Sequence, residues 1–81
     1  MNTGKTSNNG SALRRGSVVF YVPFAGCDRS EWQRGIVSRV CDDGEHAFVL
    51  YDTKSMKYSV HDLGSYTAAR TAISDMRWGS L

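Results

Sequence analysis

The chain has 81 residues and a mass of 9.0 kDa, with 41% hydrophobic residues, 22% charged residues and a formal net charge of +2. This length allows one small domain and excludes a doubly wound nucleotide-binding fold or a barrel of alternating helices and strands. No apolar run approaches the ~20 residues of a membrane-spanning helix, and no signal-peptide pattern is present. We therefore expect a cytoplasmic protein that does not contact membranes.

The positive charge is confined to the beginning of the chain. Residues 1–16 contain three basic residues and no acidic residue, whereas from Ser17 onward seven basic residues stand against eight acidic residues, a net charge of −1. Residues 1–12 also lack aromatic and branched aliphatic side chains, so they bury too little apolar area to offset the entropy of ordering. We predict a disordered polar tail over residues 1–15.

From Ser17 onward, the apolar residues recur with a period of two, which is typical of β-strands. A first strand is predicted over residues 17–24 and a second over residues 32–41, with a bend or bulge at Gly35. The Asp-Asp-Gly-Glu run at residues 42–45 predicts a hairpin turn, because Asp-Gly tolerates a positive φ.

The hairpin turn leads into a third predicted strand over residues 46–52. A fourth strand is predicted over residues 56–60, because its apolar residues alternate with polar ones. Residues 61–64 then predict a single 3₁₀ turn that directs Leu63 into the core.

The C-terminal residues support two interpretations. Helical spacing over residues 65–77 favours a short amphipathic helix, with apolar positions at Tyr66, Ala69, Ile73 and Met76. The competing interpretation is a fifth strand over residues 66–72 followed by a frayed tail.

Four short strands joined by tight turns can enclose a core only by curling, which also removes exposed sheet edges. The predicted fold is therefore all-β: a small SH3-like barrel of four to five antiparallel strands. The barrel is predicted over residues 16–64, and residues 65–81 form a C-terminal helix, or a fifth strand plus tail.

Several motifs resemble those of Tudor-type SH3-like barrels: Gly16, Trp32-Gln33-Arg34-Gly35-Ile36-Val37, Phe48-Val49-Leu50-Tyr51-Asp52 and Tyr58-Ser59-Val60-His61-Asp62-Leu63. The resemblance implies an aromatic cage for a methylated cation, with an acid nearby. It nominates the binding residues Trp32, Tyr51, Asp52, Phe24 and Tyr58. A desolvated cation over aromatic faces gains about 1–2 kcal/mol.

A narrower resemblance is to the plasmid-borne type II dihydrofolate reductases, which are SH3-like barrels assembled around a shared pore. The matching positions are Trp32-Gln33, Ile36-Val37, Cys41, Tyr58, Val60 and Leu63. The chain departs from that family at residues 55–58, where Ser-Met-Lys-Tyr replaces Val-Gln-Ile-Tyr, and it lacks the family's lysine pair after the first strand. This resemblance implies an oligomeric enzyme as an alternative function.

Two cysteines and two histidines are present, but their spacing is unlike that of a zinc site. Cys27, Cys41, His46 and His61 include no close pair such as Cys-x-x-Cys, so we predict no metal and no cofactor. We interpret Cys41 as a buried thiol, and we nominate no catalytic residue.

Together these patterns favour a small non-enzymatic module that binds a protein or peptide through aromatic residues at the barrel rim. Self-association through an exposed strand edge remains open. An accessory nucleic-acid-binding protein is a further alternative, with a basic patch of Arg34, Arg39, Lys54 and Lys57. It is less favoured because the body after the tail is slightly acidic.

Overall fold

The computed structural model describes residues 12–79, which form one antiparallel sheet of five strands curled into a half-barrel. The predicted tail over residues 1–15 lies mostly outside the described residues. The strands are β1 (Val18–Tyr21), β2 (Gln33–Val40), β3 (His46–Tyr51), β4 (Ala69–Ala72) and β5 (Met76–Arg77). Single 3₁₀ turns lie at Arg29–Glu31, Val60–Asp62 and Ile73–Asp75.

The strand order in the sheet is β4-β3-β2-β1-β5. The last strand thus returns to pair with the first, and a 3₁₀ turn joins it to β4. This order and the curl of the sheet are compatible with an SH3-like barrel. The described chain is therefore all-β, as the period-two pattern predicts.

A cluster of core residues lies on one side of the curled sheet, whereas Ile36 and Leu50 are buried on the other side, at 2% and 4% exposure. Five side chains from four strands are fully buried there: Val19, Val37, Ala47, Val49 and Met76. Partly buried residues from the two ends of the described chain, including Leu13, Ile73 and Trp78, pack against this cluster. The core thus depends on residues far apart in sequence, so the two ends of the described chain help to complete it.

The β2–β3 hairpin has the predicted turn but not the predicted bulge. Gly44 has a φ of 72°, and the Asp43 carboxylate accepts hydrogen bonds from the backbone N–H groups of Glu45 and His46. These bonds, with the contact to the His46 ring, lower the pKa of Asp43. The register shift lies between Val37 and Arg39 rather than at Gly35.

Gly35 does not form a bulge, but it allows neighbouring side chains to pack closely against β2. It pairs in regular register with Tyr51, and a Cβ atom there would lie 2.5 Å from Cγ1 of Val49 and 2.9 Å from Cδ1 of Tyr51. The missing side chain therefore lets these two larger side chains cross over β2.

The predicted C-terminal helix is wrong. Among residues 65–77, the structure has β4, a 3₁₀ turn and β5, so the competing strand interpretation is closer, although the strand begins at Ala69. The edge of β3 provides backbone partners for β4, and pairing with β1 places Met76 in the core. These long-range contacts stabilise strands more than the local spacing of apolar residues favours a helix.

The predicted fourth strand over residues 56–60 is also absent from the described chain. Residues 52–68 instead form a long connection in which Met56 and Val60 are 44% and 54% exposed. The predicted 3₁₀ turn is present, one residue earlier than expected and capped by Ser59. Leu63 is buried at 5% exposure, as predicted.

Candidate functional site

Two tyrosines are the last residues of β1 and β3, and each shares a face of its strand with buried core residues. Tyr21 lies two residues beyond Val19, and Tyr51 lies two residues beyond Val49. Their rings meet edge to face, with centroids 5.9 Å apart at an interplanar angle of 64°. The apolar core therefore ends in an aromatic pair that is only partly buried.

A depression of about 210 Å³ lies against this aromatic pair. Its lining combines the two rings and Ala72 with polar and charged side chains from β2, β4 and the following 3₁₀ turn: Gln33, Arg70, Thr71 and Asp75. Because β4 is an edge strand, one wall of the depression is also a sheet edge. We call these residues, with Tyr21 and Tyr51, the tyrosine depression.

Tyr51 is held in place by a hydrogen bond as well as by packing. Its hydroxyl lies 2.8 Å from Oγ1 of Thr71, and that hydroxyl lies 3.3 Å from the Ala69 carbonyl oxygen, to which it donates. Burial raises the pKa of Tyr51, although the bond to Thr71 opposes the shift. The ring is therefore neutral and fixed at physiological pH.

Trp32, another of the nominated aromatic residues, contacts a different part of the molecule. Its indole Nε1 donates to the Cys27 carbonyl oxygen at 3.2 Å, and the Arg29 guanidinium carbon lies 5.2 Å from its ring centroid. These contacts fasten the loop between β1 and β2. The ring neighbour of Tyr51, by contrast, is Tyr21.

The Asp52 carboxylate accepts hydrogen bonds from other residues of the fold. Its two carboxylate oxygens accept from Nη1 of Arg34 at 3.0 and 2.8 Å, and Oδ1 accepts from the Tyr58 backbone N–H at 2.9 Å. Arg34 also donates to the Tyr58 carbonyl oxygen at 3.3 Å. The Arg34–Asp52 pair thus links the long connection to β2. Only 11% of the Asp52 side chain is exposed.

The two remaining nominated aromatics lie in loops. Tyr58 packs against Tyr66, with centroids 5.0 Å apart at 57°. Phe24 lies in the loop that leaves β1 just beyond Tyr21, and it is 64% exposed. Phe24 is therefore accessible to a partner, whereas Tyr58 supports another ring.

The four residues of the predicted basic patch have different surroundings. Arg34 is paired with Asp52, whereas the Arg39 guanidinium carbon lies 4.9 Å from the ring centroid of Phe48. Lys54 and Lys57 are exposed in the long connection. The charge of Arg34 is therefore neutralised, whereas the Arg39 guanidinium lies against an uncharged ring.

The nominated residues include Tyr51 but omit its neighbours in the depression. The period-two pattern of β1 could have identified Tyr21, because Tyr21 shares a face with Val19. Thr71 and Asp75 had no such signal, because the pattern over residues 65–77 left both a helix and a strand open.

The cysteines and histidines do not form a cluster. Cys27 is buried and Cys41 is half-buried, and both are free thiols. Nδ1 of His46 lies 2.8 Å from Oδ2 of Asp43. Residues 12–79 contain no group of three or more His, Cys, Asp or Glu side chains that could hold a metal ion. No helix within the same range is long and apolar enough to cross a membrane.

No protein-family model matches the chain, and neither a curated protein nor a solved structure matches it significantly.

Proposed function

We propose that this chain is a small non-enzymatic binding module, built on an SH3-like scaffold, that binds a protein or peptide segment at the tyrosine depression. The observation that carries the proposal is the Tyr21–Tyr51 ring pair, half-buried at the end of the core and surrounded by polar groups. Partly buried aromatic faces next to hydrogen-bonding side chains are typical of recognition surfaces.

The position of β4 favours an extended peptide as the ligand. Within residues 12–79, β4 pairs with β3 alone, and Arg70, Thr71 and Ala72 of this strand line the depression. A peptide lying along an edge strand gains backbone hydrogen bonds, while neighbouring pockets select its side chains. The aromatic pair would then hold one peptide side chain beside that edge.

The Tudor-type resemblance suggests a methylated cation as that side chain. Asp75 supports this choice because it lies in the same depression as the two rings. Asp52 does not serve as the acid in this proposal, since its carboxylate is bonded to Arg34. Phe24 and Trp32 act as outer anchors in the β1–β2 loop.

The test is selection of peptides from a synthetic random library that includes methylated lysine and methylated arginine, followed by affinity measurements with variants of the full chain. We expect Tyr21→Leu, Gln33→Ala and Asp75→Ala each to weaken a selected peptide by about tenfold, the usual effect of truncating a central interface side chain. Lys54→Ala, in the exposed connection, is the control and should leave affinity unchanged. Failure to select any peptide, or selected peptides insensitive to all three substitutions, would contradict the proposal.

A further inference from the structure

A second surface lies on the side of the sheet opposite the core. There a depression of about 320 Å³ is lined by Arg15, Ser38, Arg39, Phe48, Tyr66 and Ala68. Phe48 occupies this side because its neighbours on β3, Ala47 and Val49, point into the core. We call Arg15, Arg39, Phe48 and Tyr66 the outer basic face.

The two arginines of this face are held close to it by uncharged partners. Nη1 of Arg15 donates to the Ser38 carbonyl oxygen at 3.4 Å, and the Arg39 guanidinium stacks on Phe48. Ser38 lies at the register shift of β2, between Val37 and Arg39. The irregularity in β2 therefore lies beside both guanidinium groups.

The surroundings of these two guanidinium groups differ from those of Arg34 and Arg70. Within the part of the chain that the structure describes, neither Arg15 nor Arg39 has a carboxylate oxygen within 4.0 Å. Arg34, by contrast, is paired with Asp52, and Arg70 lies 3.5 Å from Asp43. The outer basic face is thus positive although the chain from Ser17 onward has a net charge of −1.

An exposed aromatic ring lies beside the two charges. Tyr66 is 48% exposed and is braced by Tyr58, whose ring centroid is 5.0 Å away. Because the Tyr66 ring is already held in place, little side-chain conformational entropy is lost when a ligand stacks on it. Phe48, half-buried beneath Arg39, extends the aromatic surface.

We propose that the outer basic face binds single-stranded nucleic acid. The guanidinium groups of Arg15 and Arg39 contact phosphates, and an unpaired base stacks on the ring of Tyr66. Single strands combine phosphate charge with accessible base faces, and proteins bind them through basic grooves lined with aromatic rings. Duplexes are less suitable, because their bases are already stacked. The site is distinct from the tyrosine depression, so either proposal can fail without the other.

The experiment titrates the full chain into a fluorescent single-stranded oligothymidylate and follows anisotropy, starting at about 50 mM salt, where phosphate binding is strong. We expect Tyr66→Leu to weaken binding by about tenfold and Tyr66→Phe to leave it nearly unchanged, because only the former removes the stacking ring. Replacing both Arg15 and Arg39 by Ala should lower the slope of log affinity against log salt by about 0.7 for each phosphate that the variant no longer neutralises.

A matched control separates this face from general positive charge. The Lys54→Ala/Lys57→Ala variant removes the same number of charges from the long connection and should leave affinity within about twofold. Circular dichroism of each variant excludes loss of folding as the cause. The proposal is overturned by no detectable binding, by equal loss in the lysine control, or by equal affinity for duplex DNA. Stronger binding to polyglutamate would also overturn it, since the face would then select acidic protein.

Discussion

Tyr51 connects the core to the candidate binding surface. Its ring touches Tyr21 at the depression, and its hydroxyl is bonded to Thr71 on the edge strand. The same residue therefore contributes to the stability of β4 and to the proposed recognition of a peptide. The period-two pattern indicates that Tyr51 shares a face with Val49, but the bond to Thr71 depends on a pairing that is remote in sequence.

We predict that Tyr51→Phe destabilises the fold by about 0.5–1.5 kcal/mol at neutral pH, the usual contribution of one hydrogen bond. The effect of the hydroxyl should also depend on pH. Burial raises the pKa of Tyr51 in the folded state, so its stabilising contribution is complete below the unfolded value of about 10. That contribution is lost as pH rises through the folded pKa.

Urea unfolding of the wild type and Tyr51→Phe, measured between neutral and alkaline pH, checks this prediction. The stability difference between the two proteins should shrink as pH rises through the folded pKa of Tyr51. Tyr66→Phe, at an exposed ring, is the control and should change stability at neutral pH by no more than about 0.5 kcal/mol. A constant difference between wild type and Tyr51→Phe would contradict the assigned role of burial.

At the scale of elements, the strands from β1 to β3 could be predicted, whereas beyond Asp52 the sequence predicted the 3₁₀ turn and the buried Leu63 but misplaced the strands. The strands of the β2–β3 hairpin have alternating or continuous apolar residues, and the turn between them contains Asp-Gly. The sequence of β4, Ala-Arg-Thr-Ala, carries little strand propensity. It is a strand because β3 offers an open edge, which is a tertiary effect.

Met56 and Met76 provide a direct test of the difference between a strand expected from local sequence and a strand formed by tertiary pairing. Met76 is fully buried through the two-residue strand β5, whereas Met56 is 44% exposed where a strand was expected. We predict that Met76→Ala costs about 2–5 kcal/mol, because it leaves a cavity in the core. Met56→Ala should cost no more than about 0.5 kcal/mol. Chemical denaturation gives both values, and similar losses at the two positions would contradict the observed topology.

The long connection between β3 and β4 depends on the Arg34–Asp52 pair. Asp52→Ala removes two charge-assisted hydrogen bonds from Arg34 and the acceptor for the Tyr58 N–H. We predict a loss of about 1.5–3 kcal/mol in unfolding free energy. The double variant Arg34→Met/Asp52→Ala should lose less than the sum of the single variants, because no unpaired charge remains.

Glu31→Ala is the control for this experiment, since Glu31 is exposed, and it should change stability by no more than about 0.5 kcal/mol. The measurement also bears on function. If Asp52→Ala abolished peptide binding while leaving stability unchanged, Asp52 would be a ligand-binding acid instead of a structural one.

At the scale of the whole molecule, the curled sheet separates two surfaces of different chemistry. The tyrosine depression combines an aromatic pair with Gln33 and Asp75, and the outer basic face combines two arginines with exposed Tyr66. Alternation of side chains along β3 produces this separation, because Tyr51 and Phe48 point to opposite sides. Tyr51 and Arg39, both nominated from the sequence, therefore belong to separate surfaces. Composition and net charge do not show which side of the sheet a residue occupies.

The most direct test of the central claim is an NMR titration of the isotope-labelled chain with a peptide selected from the synthetic library. We predict that the largest amide shift changes cluster at the tyrosine depression, at Tyr21, Gln33, Thr71 and Asp75. Amides of the outer basic face, such as those of Arg39 and Tyr66, should change little. Shift changes centred on that outer face, or spread evenly over the sheet, would contradict the claim that this protein binds peptides through its tyrosine depression.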